Sequence, residues 1–285
     1  MAMVKTVIST DSPADLDESL CEKYGVTTVP LHIILDDKSY QDGVNITPLD
    51  IYKFYDKNKS LPKTSAVSIH EYHQMFEALS KNGNEIVHLS LSSEISATFH
   101  NASLAAKAFK NVFVVDTKSL SSGMALLVIK AAEMAKAGKN GEDIAEKIRE
   151  LRKKTAASFI LDKLEFLKEG GRCSALTAFG ANVLNIKPSI KMNNGKLSVA
   201  KKYRGSVQMS RIKYINDLID EYGDRIDTSR VIFDRTYDVA DSEIDQIKKA
   251  VLHKIKFDEV IDAKAGCTIS SHCGKNTFGL MFMLK

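Results

Sequence analysis

The sequence predicts a two-domain α/β protein. Residues 1–155 are expected to form a mainly parallel sheet flanked by helices, and residues 156–285 an α+β domain with a mixed or antiparallel sheet. Apolar strand-like runs alternate with helical runs through the first half, which is typical of parallel sheets covered by helices. The second half mixes helices with two β-like runs around an Asn-Asn-Gly turn at 193–195, a strong hairpin signal. A chain of 285 residues is long enough to bury two cores.

The elements of the first half follow from apolar periodicity, N-cap residues and glycine stops. Asp15 and Gly25 are expected to cap the first helix, and Thr47 followed by Pro48 to begin the second. The predicted order is strand 4–10, helix 15–25, strand with a turn or hairpin 29–43, helix 47–58, helix 69–83, strand 85–92, helix 97–109, strand 112–117, helix 122–138 and helix 140–155.

After the charged helix at 140–155, the regular alternation of predicted strands and helices ends. Its segment CTISSHCGKN (267–276) is interpreted as a turn between apolar runs. The predicted order is strand 158–163, short helix 164–171, helix 175–185, hairpin 186–205, helix 206–222, strand 230–234, helix 241–254 and an apolar tail 278–284.

Composition excludes several classes of protein. The net charge of +4 is spread along the chain, aromatic residues make up 7% and Trp is absent, which argues against a nucleic-acid partner. The four cysteines lack CxxC spacing and indicate reduced thiols in a cytoplasmic protein. No signal peptide or membrane-spanning run is predicted. Zinc-type ligand spacing is absent, and no metal or cofactor is expected.

Hydroxyl side chains cluster where strands of the first half meet helices. Helix N-termini carry unpaired N–H groups and partial positive charge, so such loops can seat a carboxylate or phosphate. Ser, Thr and Asp are also the favoured N-caps, and the sequence alone leaves both interpretations open. The loops are STDS (9–12), TSAVS (64–68), SLSSEIS (90–96) and DTKSLSSG (116–123).

A serine-dependent acyl hydrolase is an alternative, with Ser93 as nucleophile and His272 and Asp116 completing a triad. The serine lacks the G-x-S-x-G frame that a nucleophile elbow requires, which weakens this interpretation. A carrier of another small anionic or apolar ligand is a further alternative. Arg172 in EGGRCS and Arg204 in KKYRGS are either solvated surface cations or cations that face the pocket mouth or a partner.

In this order, these motifs resemble the DegV family of bacterial fatty-acid-binding proteins, nearly end to end. The combination of G-G-R-x-S and I-K-P is the most specific part of the resemblance. The matching stretches are STDSPADL (9–16), TSAVS (64–68) at T-S-x-P-S, LSSEISATF (91–99) at S-S-x-x-S-G-T-[YF], VVDTKSLSSG (114–123), LEFLKEGGRCSALTAFGANVLNIKPSI (164–190) and SSHCG (270–274) at G-x-H-x-G-P-G.

The chain departs from the family pattern at a few positions. Ala97 replaces the glycine of S-G-T, and Val67 replaces the proline of the T-S loop. Lys275 and Asn276 stand where Pro-Gly is usual. These changes bear on acyl-chain preference, pocket shape or partner contact rather than on the fold.

The resemblance implies a ligand held between the two domains, with its carboxylate in the hydroxyl loops and its acyl chain in an apolar tunnel. It implies Thr64 and Ser93 as direct carboxylate contacts and His272 as a hydrogen-bonded or water-mediated partner. Ser96 is expected to cap its helix while Ser93 faces the ligand. Further implied carboxylate contacts are Ser65, Ser92 and Ser96, and the candidate partner contacts are Arg172 and Arg204.

The resemblance also implies a function. We expect a cytoplasmic, non-catalytic carrier that presents a long-chain fatty acid to an ATP-dependent fatty acid kinase subunit, and so supplies acyl phosphate to phospholipid synthesis. Transient contact with a membrane surface would allow lipid exchange. The bound fatty acid is the only ligand implied, and no nucleic acid is expected as a partner.

Overall fold

The computed structural model describes residues 5–178 and 186–285. Its strands are β1 (Thr6–Asp11), β2 (Val26–Val29), β3 (His32–Leu35), β4 (Lys38–Gln41), β5 (Lys63–Ser65), β6 (Glu85–Ser90), β7 (Val112–Asp116), β8 (Thr155–Ile160), β9 (Ile186–Asn193), β10 (Lys196–Arg204), β11 (Ile226–Arg235), β12 (Glu259–Lys264) and β13 (Phe278–Leu284). Its α-helices are α1 (Glu18–Tyr24), α2 (Pro48–Asn58), α3 (Ile69–Leu79), α4 (Thr98–Ala106), α5 (Ser121–Lys136), α6 (Gly141–Leu151), α7 (Glu165–Glu169), α8 (Val207–Tyr222), α9 (Asp241–Lys254) and α10 (Cys267–Cys273).

The first half is built on a parallel sheet with strand order β2-β1-β6-β7. Parallel strands need crossover connections, and helices supply them here. Because all four strands run the same way, their carboxyl ends meet at one edge, where ligands bind in open α/β sheets. The predicted parallel sheet flanked by helices is confirmed.

A small antiparallel sheet of order β4-β3-β5 lies beside the parallel one. The sequence predicted a strand with a turn or hairpin over 29–43, and the antiparallel β3–β4 pair confirms the hairpin. It predicted no strand at 26–28 or at 63–65. Strand β2 ends at Val29, and Pro30 lies between it and β3. Proline fixes its φ angle and cannot donate to a strand ladder, so a break at this point is expected. The extra strand β5 carries Thr64 and Ser65.

The second half is built on a six-stranded sheet of order β10-β9-β8-β13-β11-β12. Only the β11–β12 pair is parallel, and the other pairs are antiparallel, which confirms the predicted mixed sheet. The hairpin turns at Asn194 and Gly195, both with positive φ. The sheet begins with β8 at Thr155; the domain boundary between 155 and 156 remains a prediction.

Helix α5 packs between the two large sheets and is buried along most of its length. Its approach to β8 is close, because a Cβ added at Gly123 would lie 2.5 Å from Cβ of Ala157. The apolar core is continuous across both halves: Leu89 and Leu127 share one cluster with Phe159 and Ile190. The two halves therefore form one packed unit around the region between the sheets.

Several predicted elements differ from the structure. Asp17, not Asp15, caps α1 by accepting from the Leu20 N–H at 2.8 Å. The segment interpreted as a turn at 267–276 is mostly helical, as α10. Strand β12 was not predicted. Of the helix predicted over 175–185, residues 179–185 lie outside the described residues, and Ser174–Ala178 form a 3-10 helix.

Within the two described ranges, every helix is too short or too polar to cross a bilayer.

Candidate functional site

A cavity of about 330 Å³ lies between the two halves of the chain, and we call it the main cavity. Its volume falls within the range of small-molecule sites, about 300 to 1,000 Å³. Its walls come from β5, the loop after β6, β8, the α7–β9 connection, β10 and α10. The described lining residues are Leu31, Thr64, Ser65, Ala66, Leu91, Ile95, Ser96, Ala97, Leu120, Phe159, Leu167, Arg172, Leu197, Thr268, Ile269, His272 and Cys273.

The main cavity is amphipathic. Its polar lining includes Thr64, Ser65, Ser96 and Arg172, which are exposed or half-buried; we call this end the mouth. Most of the apolar lining is buried, and eight of these residues are each at most 9% exposed, namely Leu31, Leu91, Leu120, Phe159, Leu167, Leu197, Ile269 and Cys273. This arrangement suits a ligand with one polar end near solvent and an apolar body inside the protein.

Thr64 and His272 meet at the mouth. Thr64 Oγ1 lies 2.8 Å from His272 Nε2, which joins β5 to the last turn of α10. Burial, and then the nearby Arg172 guanidinium, lower the pKa of His272 to about 4. The imidazole is therefore neutral near pH 7. Within residues 5–178 and 186–285, His272 Nδ1 has no hydrogen-bond partner.

The Gly170-Gly171-Arg172 turn lies against this histidine. A Cβ added at Gly170 would lie 2.5 Å from His272 Nδ1, so the ring fits only beside a glycine. Gly171 has φ +70°, a conformation that favours glycine. The turn directs Arg172 to the exposed mouth, where its Nη1 donates to the Gly170 carbonyl at 2.6 Å. The G-G-R motif thus places one cation beside a neutral histidine.

Ser96 is the serine of its loop that lines the main cavity, together with Ile95 and Ala97. Its Oγ also accepts weakly from the Thr98 N–H at 3.3 Å, at the start of α4. The loop therefore brings a hydroxyl and the N-terminus of a helix to the same place. Ala97, which replaces the family glycine, adds one methyl group to the exposed mouth.

Ser92 and Ser93 are directed to other partners. The Ser93 hydroxyl donates to Asp116 Oδ2 at 2.6 Å and accepts from Lys118 Nζ at 2.9 Å. The Ser92 hydroxyl donates to the Gly195 carbonyl at 2.8 Å, at the tip of the β9–β10 hairpin. The structure thus brings Thr64, Ser65, Ser96 and His272 together at the cavity, while Ser92 and Ser93 hold the loop that carries Ser96.

The Ser93 contact also affects Asp116. Burial raises the pKa of this carboxyl, but hydrogen bonds from the Ser93 hydroxyl and from Lys118 outweigh it and hold the pKa below its ordinary value. Asp116 is therefore charged near neutral pH and keeps Ser93 engaged. The partners Asp116 and Lys118 come from the loop after β7, and single-strand patterns do not predict such a contact between neighbouring loops.

The first hydroxyl-rich loop, 9–12, serves the core rather than the cavity. Ser9 Oγ lies 3.0 Å from His88 Nδ1, and His88 Nε2 lies 3.1 Å from Asp11 Oδ1. This Ser-His-Asp series is fully buried, so no substrate reaches it. Ser68, in the second loop, forms a capping box with Glu71 at the start of α3. The capping interpretation is therefore confirmed for some of these hydroxyls.

Asp42 is a positioning residue that sequence reasoning missed. Its carboxylate accepts from the Cys267 N–H at 2.8 Å, the Thr268 N–H at 3.1 Å and the Thr268 hydroxyl at 2.6 Å. A carboxylate at a helix N-terminus is stabilised by the unpaired N–H groups there. Asp42 thus anchors α10, and with it His272, to the first half. The Asp-Gly turn at 42–43 was its only local signal.

The remaining positions singled out in the sequence lie in various places. Val67 is fully buried in the core, and Lys275 pairs with Asp56 at 2.6 Å. Asn276 adopts φ +60°, and its N–H donates to Asp238 at 2.9 Å. Arg204 is exposed on the edge strand β10, whereas Arg172 lines the mouth.

The described part of the site resembles neither a metal centre nor the triad of a serine hydrolase. In the described part of the chain, His, Cys, Asp and Glu side chains form no group of three suited to a metal ion. Ser93 pairs with Asp116, whereas His272 pairs with Thr64, so the triad considered from sequence is not assembled.

The chain is similar to known proteins over nearly its full length. Residues 5–285 match the model of the DegV family, described as uncharacterised proteins. A DegV domain-containing protein of Caldanaerobacter subterraneus subsp. tengcongensis is 32% identical over 98% of this chain and 99% of its own length.

Solved structures agree with this match. A DegV family protein from Thermus thermophilus, described by its fatty acid binding, superposes with a TM-score of 0.89 at 27% identity, covering 99% of this chain and 100% of its own. A stearic-acid-binding protein from Eubacterium ventriosum gives 0.84 at 26% identity, covering 99% of each chain. The family model, the relative and the folds together show that this chain belongs to the DegV family.

Proposed function

We propose that this protein binds a long-chain fatty acid, with its carboxylate at the mouth of the main cavity and its acyl chain along the apolar wall. The observation that carries the proposal is the amphipathic cavity itself, which places neutral hydrogen-bonding groups near solvent and a continuous apolar wall inside. The fatty-acid binding described for the proteins from Thermus thermophilus and Eubacterium ventriosum supports it.

The acyl chain supplies most of the affinity in this proposal. Burying a methylene group contributes about 0.8 kcal/mol, so a chain of roughly 14 to 20 carbons needs little from its head group. Each net hydrogen bond at the mouth adds about 0.5 to 1.5 kcal/mol and fixes the orientation of the carboxylate. The head-group contacts therefore determine where the carboxylate lies more than how tightly the fatty acid binds.

We assign the direct carboxylate contacts to Thr64 and Ser96, with Ser65 beside them, and His272 acts on the carboxylate through Thr64. When His272 Nε2 carries the proton, it donates to Thr64 Oγ1 and leaves the threonine hydroxyl hydrogen for the carboxylate. Neutral donors hold the carboxylate without neutralising it. In this assignment Ser92 and Ser93 act as positioning residues, because their hydroxyls bind Gly195 and Asp116.

We further propose that the carrier presents the carboxylate to an ATP-dependent kinase partner, which forms the acyl phosphate for phospholipid synthesis. The carrier itself performs no catalysis in this scheme. Arg172 is exposed beside the mouth and is suited to contact the partner or a phosphate group, and Arg204 is a second candidate contact on β10.

All four cysteines are free thiols, which supports a reducing compartment such as the cytoplasm. Lipid exchange would involve transient contact with a membrane surface.

Mass spectrometry of an organic extract of the purified protein tests the binding function. We expect about one long-chain fatty acid per chain, either co-purified or taken up when added. Absence of both would overturn the proposal. Covalent labelling by a fluorophosphonate at Ser93 or Thr64 would instead support an acyl hydrolase, and a different extracted anion would support another carrier function.

A further inference from the structure

A second cavity, which we call the α8 cavity, lies between Tyr214 and Leu218 of α8 and Ser158, Ser189 and Lys191 of the six-stranded sheet. Its volume is about 190 Å³. Sites for drug-sized ligands measure about 300 to 1,000 Å³, whereas one water molecule takes up roughly 30 Å³ of the liquid. The α8 cavity therefore has room for a small ion or molecule.

The α8 cavity and the main cavity lie on opposite faces of the same sheet. Successive side chains of a strand point to opposite faces. On β8, Phe159 lines the main cavity and Ser158 lines the α8 cavity. On β10, Leu197 lines the main cavity and Tyr203 lines the α8 cavity. Binding at the two places can therefore be measured separately.

Lys191 brings an unpaired positive charge to the α8 cavity. It lies directly opposite Ser158 in the antiparallel β8–β9 pair, so the two side chains share the face that α8 covers. The Lys191 side chain is half-buried, yet among the described residues its ammonium has no ion-pair or hydrogen-bond partner. A cation that is partly removed from water favours an anion beside it.

Ser158 and Tyr214 leave one hydroxyl hydrogen without a protein acceptor. Both are buried, at 8% and 1% exposure, and their hydroxyl oxygens are 2.7 Å apart. The pair has two hydroxyl hydrogens, and the hydrogen bond between the two residues uses one of them. In the described part of the chain, neither hydroxyl donates to any other acceptor. A buried donor of this kind is costly unless water or a ligand accepts from it.

The acidic side chains of the α8 cavity leave its lining positive. Three lysines line it against two acidic residues. Asp217 is already engaged, since it accepts from the Tyr203 hydroxyl at 2.7 Å and pairs with Lys201 at 3.3 Å. Glu221 is exposed to solvent near the end of α8. The groups left for a ligand inside the cavity are therefore donors.

From the unpaired Lys191 and the unused hydroxyl hydrogen, we propose that the α8 cavity binds one phosphate group. A phosphate group carries a charge of about −1.5 to −2 at pH 7 and three strong acceptor oxygens, so it accepts from both donors at once. Ser189 is a third candidate donor, because its hydrogen bond to the Lys201 carbonyl is long, at 3.5 Å. The phosphate is either the free ion or the end of a small ester that extends past the exposed rim.

NMR titration of the ¹⁵N-labelled protein with inorganic phosphate, at constant ionic strength, tests the proposal. We expect saturable shifts of the Ser158 and Lys191 amide signals in the wild type. Lys191→Met removes the charge and keeps the side-chain length. It should weaken phosphate binding by roughly ten- to a hundredfold, because it removes a hydrogen bond between charged groups.

Lys196→Met is the matched control, because it removes one charge from the same hairpin outside the α8 cavity. The Lys196 side chain is 72% exposed, and its replacement should change phosphate affinity by less than about twofold. Equal weakening by Lys191→Met and Lys196→Met would overturn the inference. Lys191→Met should leave fatty-acid affinity unchanged, so the phosphate site and the proposed fatty-acid function stand or fall separately.

A parallel titration with glycerol phosphate distinguishes the two sources of the phosphate group. Tighter binding of the inorganic ion indicates free phosphate, and tighter binding of glycerol phosphate indicates an ester. The absence of saturable shifts with both would overturn the inference. A crystal of the wild type soaked in phosphate gives a readout without a variant: we expect the ion within hydrogen-bond distance of Lys191 Nζ and of Ser158 Oγ or Tyr214 Oη. An empty α8 cavity in that crystal would contradict the proposal.

Discussion

Thr64 Oγ1 and His272 Nε2 lie 2.8 Å apart although 208 residues separate them in the chain. The contact ties the small antiparallel sheet of the first half to α10 of the second, at the mouth of the main cavity. It gives one histidine nitrogen a hydrogen-bond partner and holds one hydroxyl at the mouth of the main cavity. Loss of either partner should therefore affect both stability and binding.

Thr64→Val tests this contact, since it removes the hydroxyl and keeps the shape. We expect fatty-acid affinity to fall by about fivefold and the free energy of unfolding by about 1 kcal/mol, because His272 Nε2 loses its partner. Fluorescent fatty-acid displacement and urea unfolding measure the two effects. Thr28→Val, on the exposed face of β2, is the matched control and should change neither. Unchanged affinity in Thr64→Val would remove Thr64 from the site.

Ser96→Ala and Ser93→Ala separate a ligand contact from a positioning residue. Because Ser96 lines the cavity, its loss should weaken binding by roughly three- to tenfold with little change in stability. Because Ser93 is bonded to Asp116, its loss should cost about 1 kcal/mol of stability and change affinity by less than about twofold. The opposite pattern would return the carboxylate to Ser93. Calorimetric titration with palmitate and urea unfolding of each variant make the comparison.

Arg172→Gln should raise the pKa of His272. The guanidinium charge disfavours the imidazolium, so its removal lets the histidine take up a proton at a higher pH. NMR titration of the His272 ring protons measures the shift. Arg204→Gln is the control, because Arg204 is exposed on β10 and its replacement should leave the His272 titration unchanged.

Arg172→Gln should also keep lipid binding while it impairs transfer of the fatty acid to a kinase partner. Equal loss of binding and of transfer would refute the separate role of Arg172 in partner contact.

The lowered pKa of His272 predicts that the stability of the protein depends on pH. Its pKa is about 4 when folded, below the ordinary 6.5, so the unfolded chain binds the proton more readily between these values. The contribution of the neutral His272 to the free energy of unfolding is therefore complete above about pH 6.5. It is lost as the pH falls toward 4, and the free energy of unfolding then decreases by up to about 1.4 kcal/mol per pH unit.

Comparison with His272→Gln isolates this contribution from those of the buried carboxyls. The variant keeps a group able to hydrogen bond with Thr64 but cannot titrate. Urea unfolding at pH 7 and pH 5 should show a smaller loss of stability in the variant than in the wild type. An equal loss in both would mean that His272 titrates normally in the folded protein.

The sequence predicted the sheets because these depend on local pattern. Alternation of apolar runs predicted β1, β6 and β7, and Asn-Asn-Gly predicted the β9–β10 hairpin. Some of the hydroxyls predicted to cluster at strand ends, Thr64, Ser65 and Ser96, line the main cavity. Segments with weak local pattern were missed: β5 is short and pairs only through β3, and α10 is seven residues anchored by Asp42 from the other half.

The choice among neighbouring serines could not be made from sequence. Ser93 and Ser96 are three residues apart on one loop and have identical chemistry. Their roles differ because Asp116 and Lys118, on the adjacent loop, provide partners for Ser93. Such assignments require the packing of both halves.

The walls of the main cavity come from both halves of the chain, so under the proposed function a bound acyl chain would complete the core between them. A ligand that binds only the folded state adds stability as its concentration exceeds the dissociation constant, about 2.7 kcal/mol at a hundredfold excess. The loaded carrier should therefore resist proteases longer than the empty one. Its abundance in a cell would then rise and fall with the supply of lipid, without any change in the transcription of its gene.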